Sequence, residues 1–150
     1  MKFTKSLIKG TLIKRYKRFF TDVMVDKKVL TAHCPNTGSM KGLLDKKNKV
    51  WLSKSDNPNR KLKYTLEIIK SQNKMIGVNT HRANKIVLHA LSNNLITEFM
   101  NNELIKKEVS FNKNTRFDFL VKKNNIKNFI EVKNVTLFRQ NGICEFPDAI

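Results

Sequence analysis

Acidic residues are scarce in this chain. Twelve Asp and Glu stand against thirty Lys and Arg in 150 residues, a formal net charge of +18, and none of the twelve precedes Asp22. Such a balance argues against polycationic partners and suits a polyanionic one. Cysteine is limited to Cys34 and Cys144, too few for a disulfide framework and without metal-type spacing. Reduced thiols in a cytoplasmic protein are the expectation. No apolar run approaches the roughly 20 residues that span a bilayer, and the basic stretch Met1 to Lys9 is not followed by the apolar run of a secretory signal. No membrane association is expected. The five glycines form no Gly-rich nucleotide loop, and no Ser/His/Asp order for nucleophilic catalysis is present.

An apolar fraction of 40% with 9% aromatics is enough to fill a core, and the length suits one domain or two small ones. The basicity has two sources. Lys, Asn and Ile are abundant together, as an AT-rich coding sequence would make them, so position tells more than total. Lys2, Lys5, Lys9, Lys14, Arg15, Lys17 and Arg18 run without an acid between them. Interleaved with Tyr16, Phe19 and Phe20, they read as a phosphate-contacting stripe with stacking rings nearby. An ordinary solvated basic face is the open alternative.

The first half of the chain is punctuated like strands. Phe19 to Val25, a turn at Asp26-Lys27-Lys28, and Val29 to His33 read as a hairpin. Residues 12–20 also fit a helical face and stay ambiguous. Cys34 to Ser39 is a loop, Val50-Trp51-Leu52 a short buried strand, and Ser53 to Arg60 a polar loop. Tyr64 to Ile69 and Met75 to Val78 suggest a further hairpin. Character changes at residues 79–82. Ala83, Ile86, Val87, Ala90 and Leu91 share a helical face that Thr80 can cap, and a shorter turn or helix is expected near Ile96 to Asn101. Three strands then follow, over Ile105 to Phe111, Arg116 to Val121 and Phe129 to Lys133. The fold class is α+β, or mixed: a β-barrel-like unit over residues 1–80, then a helix and strands over 81–150.

Phe117-Asp118-Phe119-Leu120 and Glu131-Val132-Lys133 carry the chemistry. An acid on one strand and an acid-apolar-lysine triplet on the next are the least that metal-dependent phosphodiester cleavage needs. Asp118 and Glu131 can hold a hard divalent cation through oxygen, and the Val132 carbonyl can add a ligand. Lys133 lies two residues past Glu131, so in a strand both share a face while Val132 turns into the core. Lys133 can then orient water or offset developing charge. Mg²⁺ or Mn²⁺ is the cofactor expected if the site is catalytic. A solvated strand face would show the same residues.

Several tracts resemble the sugar fermentation stimulation protein (SfsA) family. They are Lys14-Arg15-Tyr16-Lys17-Arg18-Phe19, His33-Cys34-Pro35-Asn36-Thr37-Gly38, Ser55-Asp56-Asn57, Val78-Asn79-Thr80, Arg116 to Phe119, Glu131 to Leu137 and Phe146-Pro147-Asp148-Ala149. They run in order along the whole chain. The resemblance implies an N-terminal OB-fold domain and a partial C-terminal nuclease unit of the PD-(D/E)XK type. It also implies DNA binding without strong sequence preference, RNA being a further possible substrate, and a regulatory link to sugar (maltose) metabolism. On that pattern Lys14, Arg15, Lys17, Arg18, Arg60 and Lys61 become nucleic-acid contacts, with Tyr16 stacking on a base. Two departures accompany it. Family members continue past the Phe-Pro-Asp-Ala tract into a helix and a strand that cover the nuclease sheet, so a shortened, marginally stable form is expected at Ile150. Whether that form is an active nuclease or a non-functional product stays open. Where the family tends to carry a glutamate on the first nuclease helix, this chain has His89. Glu98, Glu103 and Glu108 are other acids open to the site. Asn36-Thr37-Gly38 fits either a phosphate-binding turn or a structural corner, the corner preferred.

Overall fold

The computed structural model describes residues 2–138 and 143–146; the end of the Phe146-Pro147-Asp148-Ala149 tract, from Pro147 on, lies outside them. The described residues form two compact units: residues 2–80 joined by those from Asn134 onward, and His81–Lys133.

The first unit is built on six strands, β1 (Ile8–Tyr16), β2 (Phe20–Val25), β3 (Lys28–His33), β4 (Lys49–Lys54), β5 (Tyr64–Ser71) and β6 (Lys74–Gly77). They lie in the order β3-β2-β1-β4-β5-β6, and β3 also pairs with β5. That pairing is parallel, through Ala32↔Tyr64 and His33↔Thr65, and closes β1 to β5 into a barrel with no free edge among them. The ambiguous residues 12–20 are strand up to Tyr16. Pairing of Thr11 to Tyr16 with Phe20 to Met24 gives them ladder partners that a helix would have denied them. The hairpin turns at Asp26-Lys27 and Gln72-Asn73 have φ of 46° and 64°, and 45° and 65°, the left-handed pair that matches strand twist.

Every barrel strand sends side chains into one core. Leu12, Val23, Ala32, Val50, Leu52, Leu66 and Ile69 are all buried, with Cys34, Met40, Leu43 and Val78 closing the ends. Full burial of a Leu, Ile or Val is worth about 1.5–3 kcal/mol each, so this cluster dominates the unit's stability. Gly10 permits the closest approach. A Cβ there would lie 2.4 Å from a Val23 methyl and 2.9 Å from the Met24 carbonyl. The Val78-Asn79-Thr80 tract ties the barrel's end together. Val78 N–H donates to the Glu67 carbonyl, Asn79 Nδ2 to the buried Glu67 carboxylate at 2.9 Å, and the Thr80 hydroxyl to the Pro35 carbonyl at 3.1 Å. Further on, β10 (Leu137–Phe138) pairs with β11 (Cys144–Glu145).

In the second unit a 3-10 turn (Thr80–Arg82) leads into α1 (Ala83–Ser92). Thr80 does not cap this helix. The N-cap is Arg82, with no side-chain cap bond, because the Thr80 hydroxyl is already spent on Pro35. After a second 3-10 turn (Thr97–Phe99) come β7 (Leu104–Ser110), β8 (Arg116–Lys123) and β9 (Ile126–Ile130), an antiparallel sheet in the order β7-β8-β9. Leu91, Phe119 and Val121 are its buried centre, packed by Val87 and Leu88 of α1 and by Ile96, Phe99, Ile105, Ile130 and Val132. The last strand is displaced from the expected Phe129 to Lys133. It starts at Ile126, straight after the left-handed Asn124-Asn125 turn, and ends at Ile130, so Glu131 to Lys133 lie just beyond it.

Candidate nucleic-acid interface and phosphodiester site

Several of the basic residues singled out above lie in two loops that flank the end of β3. Tyr16 pairs with Phe20, Phe20 with His33, His33 with Thr65 and Thr65 with Ser53. This row crosses β1, β2, β3, β5 and β4 in turn, so the β1–β2 loop and the β4–β5 loop both adjoin the end of β3, while on its other side β4 ends beside the start of β1 at Ile8↔Leu52. The first loop carries Lys17 and Arg18, the second Arg60 and Lys61.

Within that cluster the roles divide. Lys17, Arg18 and Lys61 are exposed. Arg15 is turned to the main chain: its Nη2 donates to the Asn36 carbonyl at 2.8 Å and its Nε to the Arg18 carbonyl at 3.1 Å. Arg60 Nη2 donates to Thr65 Oγ1 at 2.7 Å. Arg15 and Arg60 thus hold the two loops to the barrel. Tyr16 is half-buried, stacked on Phe20 with centroids 5.5 Å apart, and its hydroxyl lies 3.3 Å from Asp22 Oδ1. Lys14 Nζ sits 5.1 Å from the same ring's centroid and 3.8 Å from Asp22. The aromatic ring left open here is Phe19, 47% exposed. The strand period alone could not rank it above Tyr16, because Phe19 lies in the turn.

Asn36-Thr37-Gly38 is a structural corner. Gly38 N–H donates to Asn36 Oδ1 at 2.9 Å, so the amide that would greet a phosphate is occupied. Asn36 is itself buried and fixed by Arg15. Cys34 is buried and Cys144 exposed, both as free thiols. No group of three or more His, Cys, Asp or Glu side chains suited to a metal occurs among the described residues.

In the second unit Asp118 is the most tightly held of the candidate acids. Asn84 Nδ2, from the first turn of α1, donates to its Oδ1 at 2.6 Å. Val132 N–H donates to its Oδ2 at 2.8 Å. The second bond clamps the stretch after β9 onto β8. The register Phe119↔Ile130, continued by one residue, sets Glu131 opposite Asp118. Glu131 and Lys133 share a side, with Nζ 2.9 Å from Oε1, while Val132 packs on the core. The alternation expected of a strand therefore persists past the strand's end.

His89 takes no part here. It is exposed, with Nδ1 3.3 Å from Asn93 Nδ2. The α1 residue beside Asp118 is Asn84. Helical spacing carried the signal, since position 84 lies on the same side as Val87, Leu88 and Leu91, but a neutral amide gave no reason to single it out. Of the other acids, Glu98 carries the backbone carbonyl that accepts from Lys123 Nζ. Glu103 is paired with Lys122. Glu108 is bonded to Arg116.

A closed five-stranded barrel in this strand order defines an OB-fold protein, here joined to a small helix-and-sheet unit, α+β overall. The model of the SfsA N-terminal OB domain matches residues 13–78, and that of the sugar fermentation stimulation protein RE domain matches residues 81–150. The chain belongs to the sugar fermentation stimulation protein (SfsA) family. It is 67% identical over its whole length to a sugar fermentation stimulation protein homolog of Pelagibacter ubique, of which it covers 65%. It is 45% identical to the homolog of Maricaulis maris, again over all of this chain and 65% of the relative. The chain thus spans slightly under two thirds of the relatives it matches. The solved structure of Pyrococcus furiosus SfsA in complex with Ca2+ superimposes with a TM-score of 0.74 at 20% identity, over 87% of this chain and 55% of that one. At that identity the likeness concerns the fold.

Proposed function

We propose that this chain binds nucleic acid without strong sequence preference through the barrel loops carrying Lys17, Arg18 and Lys61. The supporting observation is that the register sets the β1–β2 and β4–β5 loops on either side of the end of β3. These are the loops with which OB-folds engage oligonucleotides. Exposed ammonium and guanidinium groups contact phosphates, which carry no sequence information, and the exposed Phe19 ring offers a base a stacking face. DNA is the proposed partner, with RNA an outcome of the same assay. A cytoplasmic setting fits the free thiols. Regulation of sugar (maltose) metabolism, in keeping with the relatives' name, would act through this binding. Fluorescence anisotropy on single- and double-stranded DNA and RNA tests it. Affinity should fall steeply with salt and vary little with sequence; strong preference for one sequence would refute it.

A second reading, metal-dependent phosphodiester hydrolysis, is favoured by the Asp118 cluster. The donor set fits a hard cation. Asp118 keeps lone pairs on both oxygens after accepting one bond at each,. With Glu131 it offers the one or two carboxylates that Mg²⁺ or Mn²⁺ takes, water and substrate oxygens completing the shell. The Ca2+ complex of the P. furiosus protein accords with oxygen ligands. Asp118, Glu131 and the Val132 carbonyl would hold the ion, which when bound supplies Lewis acidity and a nucleophilic water. Asn84 and the Val132 N–H fix the Asp118 carboxylate. Lys133, within reach of Glu131, orients water and offsets negative charge on the phosphate. Asp118→Asn and Glu131→Gln should lower both metal affinity and turnover, while Lys133→Ala should spare metal affinity and slow the chemistry. Activity that survives chelation and Lys133→Ala alike would refute this reading.

A further inference from the structure

Beside Asp118 lies an open pocket of about 230 Å³, lined by Asn84, Lys85 and Leu88 of α1 and by Lys107, Glu108, Asp118 and Phe119 of the sheet. Two lysines and two carboxylates line it, and two features leave the lysine side open to an anion. Lys85 and Lys107 are both exposed, and no described residue forms an ion pair with either. Of the two opposing carboxylates, Glu108 is drawn toward Arg116, with Nε 3.5 Å from its carboxylate, and Asp118 accepts from Asn84 Nδ2 and the Val132 N–H.

The backbone at Glu108 is itself unusual. Its φ is 53° in the middle of β7, between the paired residues Lys107↔Phe119 and Val109↔Phe117. A left-handed residue that is neither Gly nor Asn is costly in a strand and persists only where its surroundings fix it. Here it interrupts the ladder opposite Asp118, beside the pocket.

We propose that this pocket is a phosphate subsite in which Lys85 and Lys107 hold a phosphate group next to Asp118. The proposal rests on the hydrolysis reading for its purpose, since it would seat a phosphate of the nucleic acid against the reacting centre. Two ammonium groups can hold an anion with charge-assisted hydrogen bonds, and the adjacent carboxylate discourages occupancy unless a cation shares the site. A phosphodiester and free inorganic phosphate present the same chemistry, so both serve as probes.

The test is a ¹H–¹⁵N NMR titration of the whole chain with inorganic phosphate, then with a dithymidine phosphodiester, each with and without Mg²⁺. The amides of Asn84, Lys85, Lys107 and Asp118 should shift together and saturate. In Lys85→Gln/Lys107→Gln the apparent affinity should fall at least tenfold, while Lys127→Gln, on β9, should leave it unchanged. The spectrum itself reports whether each variant is folded. Response to the diester with little response to inorganic phosphate assigns the subsite to nucleic acid, and the reverse assigns it to a free anion. Diffuse shifts over the basic surface, or shifts that persist in the double variant, overturn the proposal. Cleavage is read separately with Asp118→Asn. Saturable binding without cleavage removes the hydrolysis reading and keeps the subsite; cleavage with an unaltered titration in the double variant does the opposite.

Discussion

Glu103 holds the β8–β9 turn to the start of β7. Its carboxylate lies 2.9 Å from Lys122 Nζ and accepts from the Asn125 N–H at 3.2 Å. The Lys122 hydrogen bond, aided by the Asn125 amide, lowers its pKa below the ordinary 4.5. A carboxyl lowered on folding stabilises above its unfolded pKa, and that contribution disappears as pH falls through the folded value. Thermal melts should therefore lose stability on acidification below about pH 4.5, and Glu103→Gln should flatten that part of the profile. At Asp118 the residue-scale prediction concerns Asn84. Asn84→Ala removes the donor to Oδ1, and partners that orient a metal ligand typically matter by about 10–100-fold. On the hydrolysis reading, turnover with Mg²⁺ should fall by that order while nucleic-acid anisotropy stays unchanged; unaltered turnover would show that Val132 N–H alone fixes the carboxylate. Asp118, Glu131 and Lys133 were legible in the sequence because ionisable residues at strand spacing are conspicuous. Asn84 was not, because what matters about it is a contact across 34 residues. Tyr16 misled for a related reason: its neighbours promise a stacking ring, but Phe20 covers one face and the ring is half-buried.

Among the elements, β1 shows most plainly how packing overrides local pattern. Leu12, Tyr16, Phe19 and Phe20 fit a helical face as well as a strand, and only pairing with β2 and β4 decides between them. The irregularity in register between Leu12 and Lys14 adds to the ambiguity, since a bulge breaks the two-residue period. Gly10 marks the tightest contact of this strand. Gly10→Ala would drive its methyl into Val23 and the Met24 carbonyl, and overpacking of that kind costs about 1–3 kcal/mol. Urea denaturation should show the loss, with Gly77→Ala, where a Cβ meets nothing within 4 Å, as the mild comparison. The helix was legible because its apolar stripe is regular. Its cap was not, because Thr80 bonds to a carbonyl 45 residues earlier. The end of β9 comes before Glu131 to Lys133, which keep strand-like alternation through the Val132–Asp118 bond without a ladder partner and so read as strand in the sequence.

For the molecule as a whole, charge and topology bear on one another. An excess of eighteen positive charges gives a general attraction for polyanions, and by itself it would favour no surface over another. The barrel's closure gathers part of it in the loops on either side of the end of β3. The basic run of Lys14 to Arg18 stood out by itself, whereas Arg60 and Lys61 joined it only through the family resemblance, because the parallel β3–β5 pairing that sets both loops beside the end of β3 is a long-range contact. The sequence equally hid that Arg15 and Arg60 are held by hydrogen bonds within the unit, leaving Lys17, Arg18 and Lys61 as the groups free to meet phosphates. No helix among the described residues is long and apolar enough to cross a membrane. The most direct test of the central proposal is the salt dependence of DNA affinity for the unmodified chain beside Lys17→Gln/Arg18→Gln/Lys61→Gln. Binding through these loops predicts weaker affinity on every sequence and a slope of log K against log salt reduced by about 0.7–0.9 for each phosphate the variant no longer engages. An unchanged slope and affinity in the triple variant would contradict it.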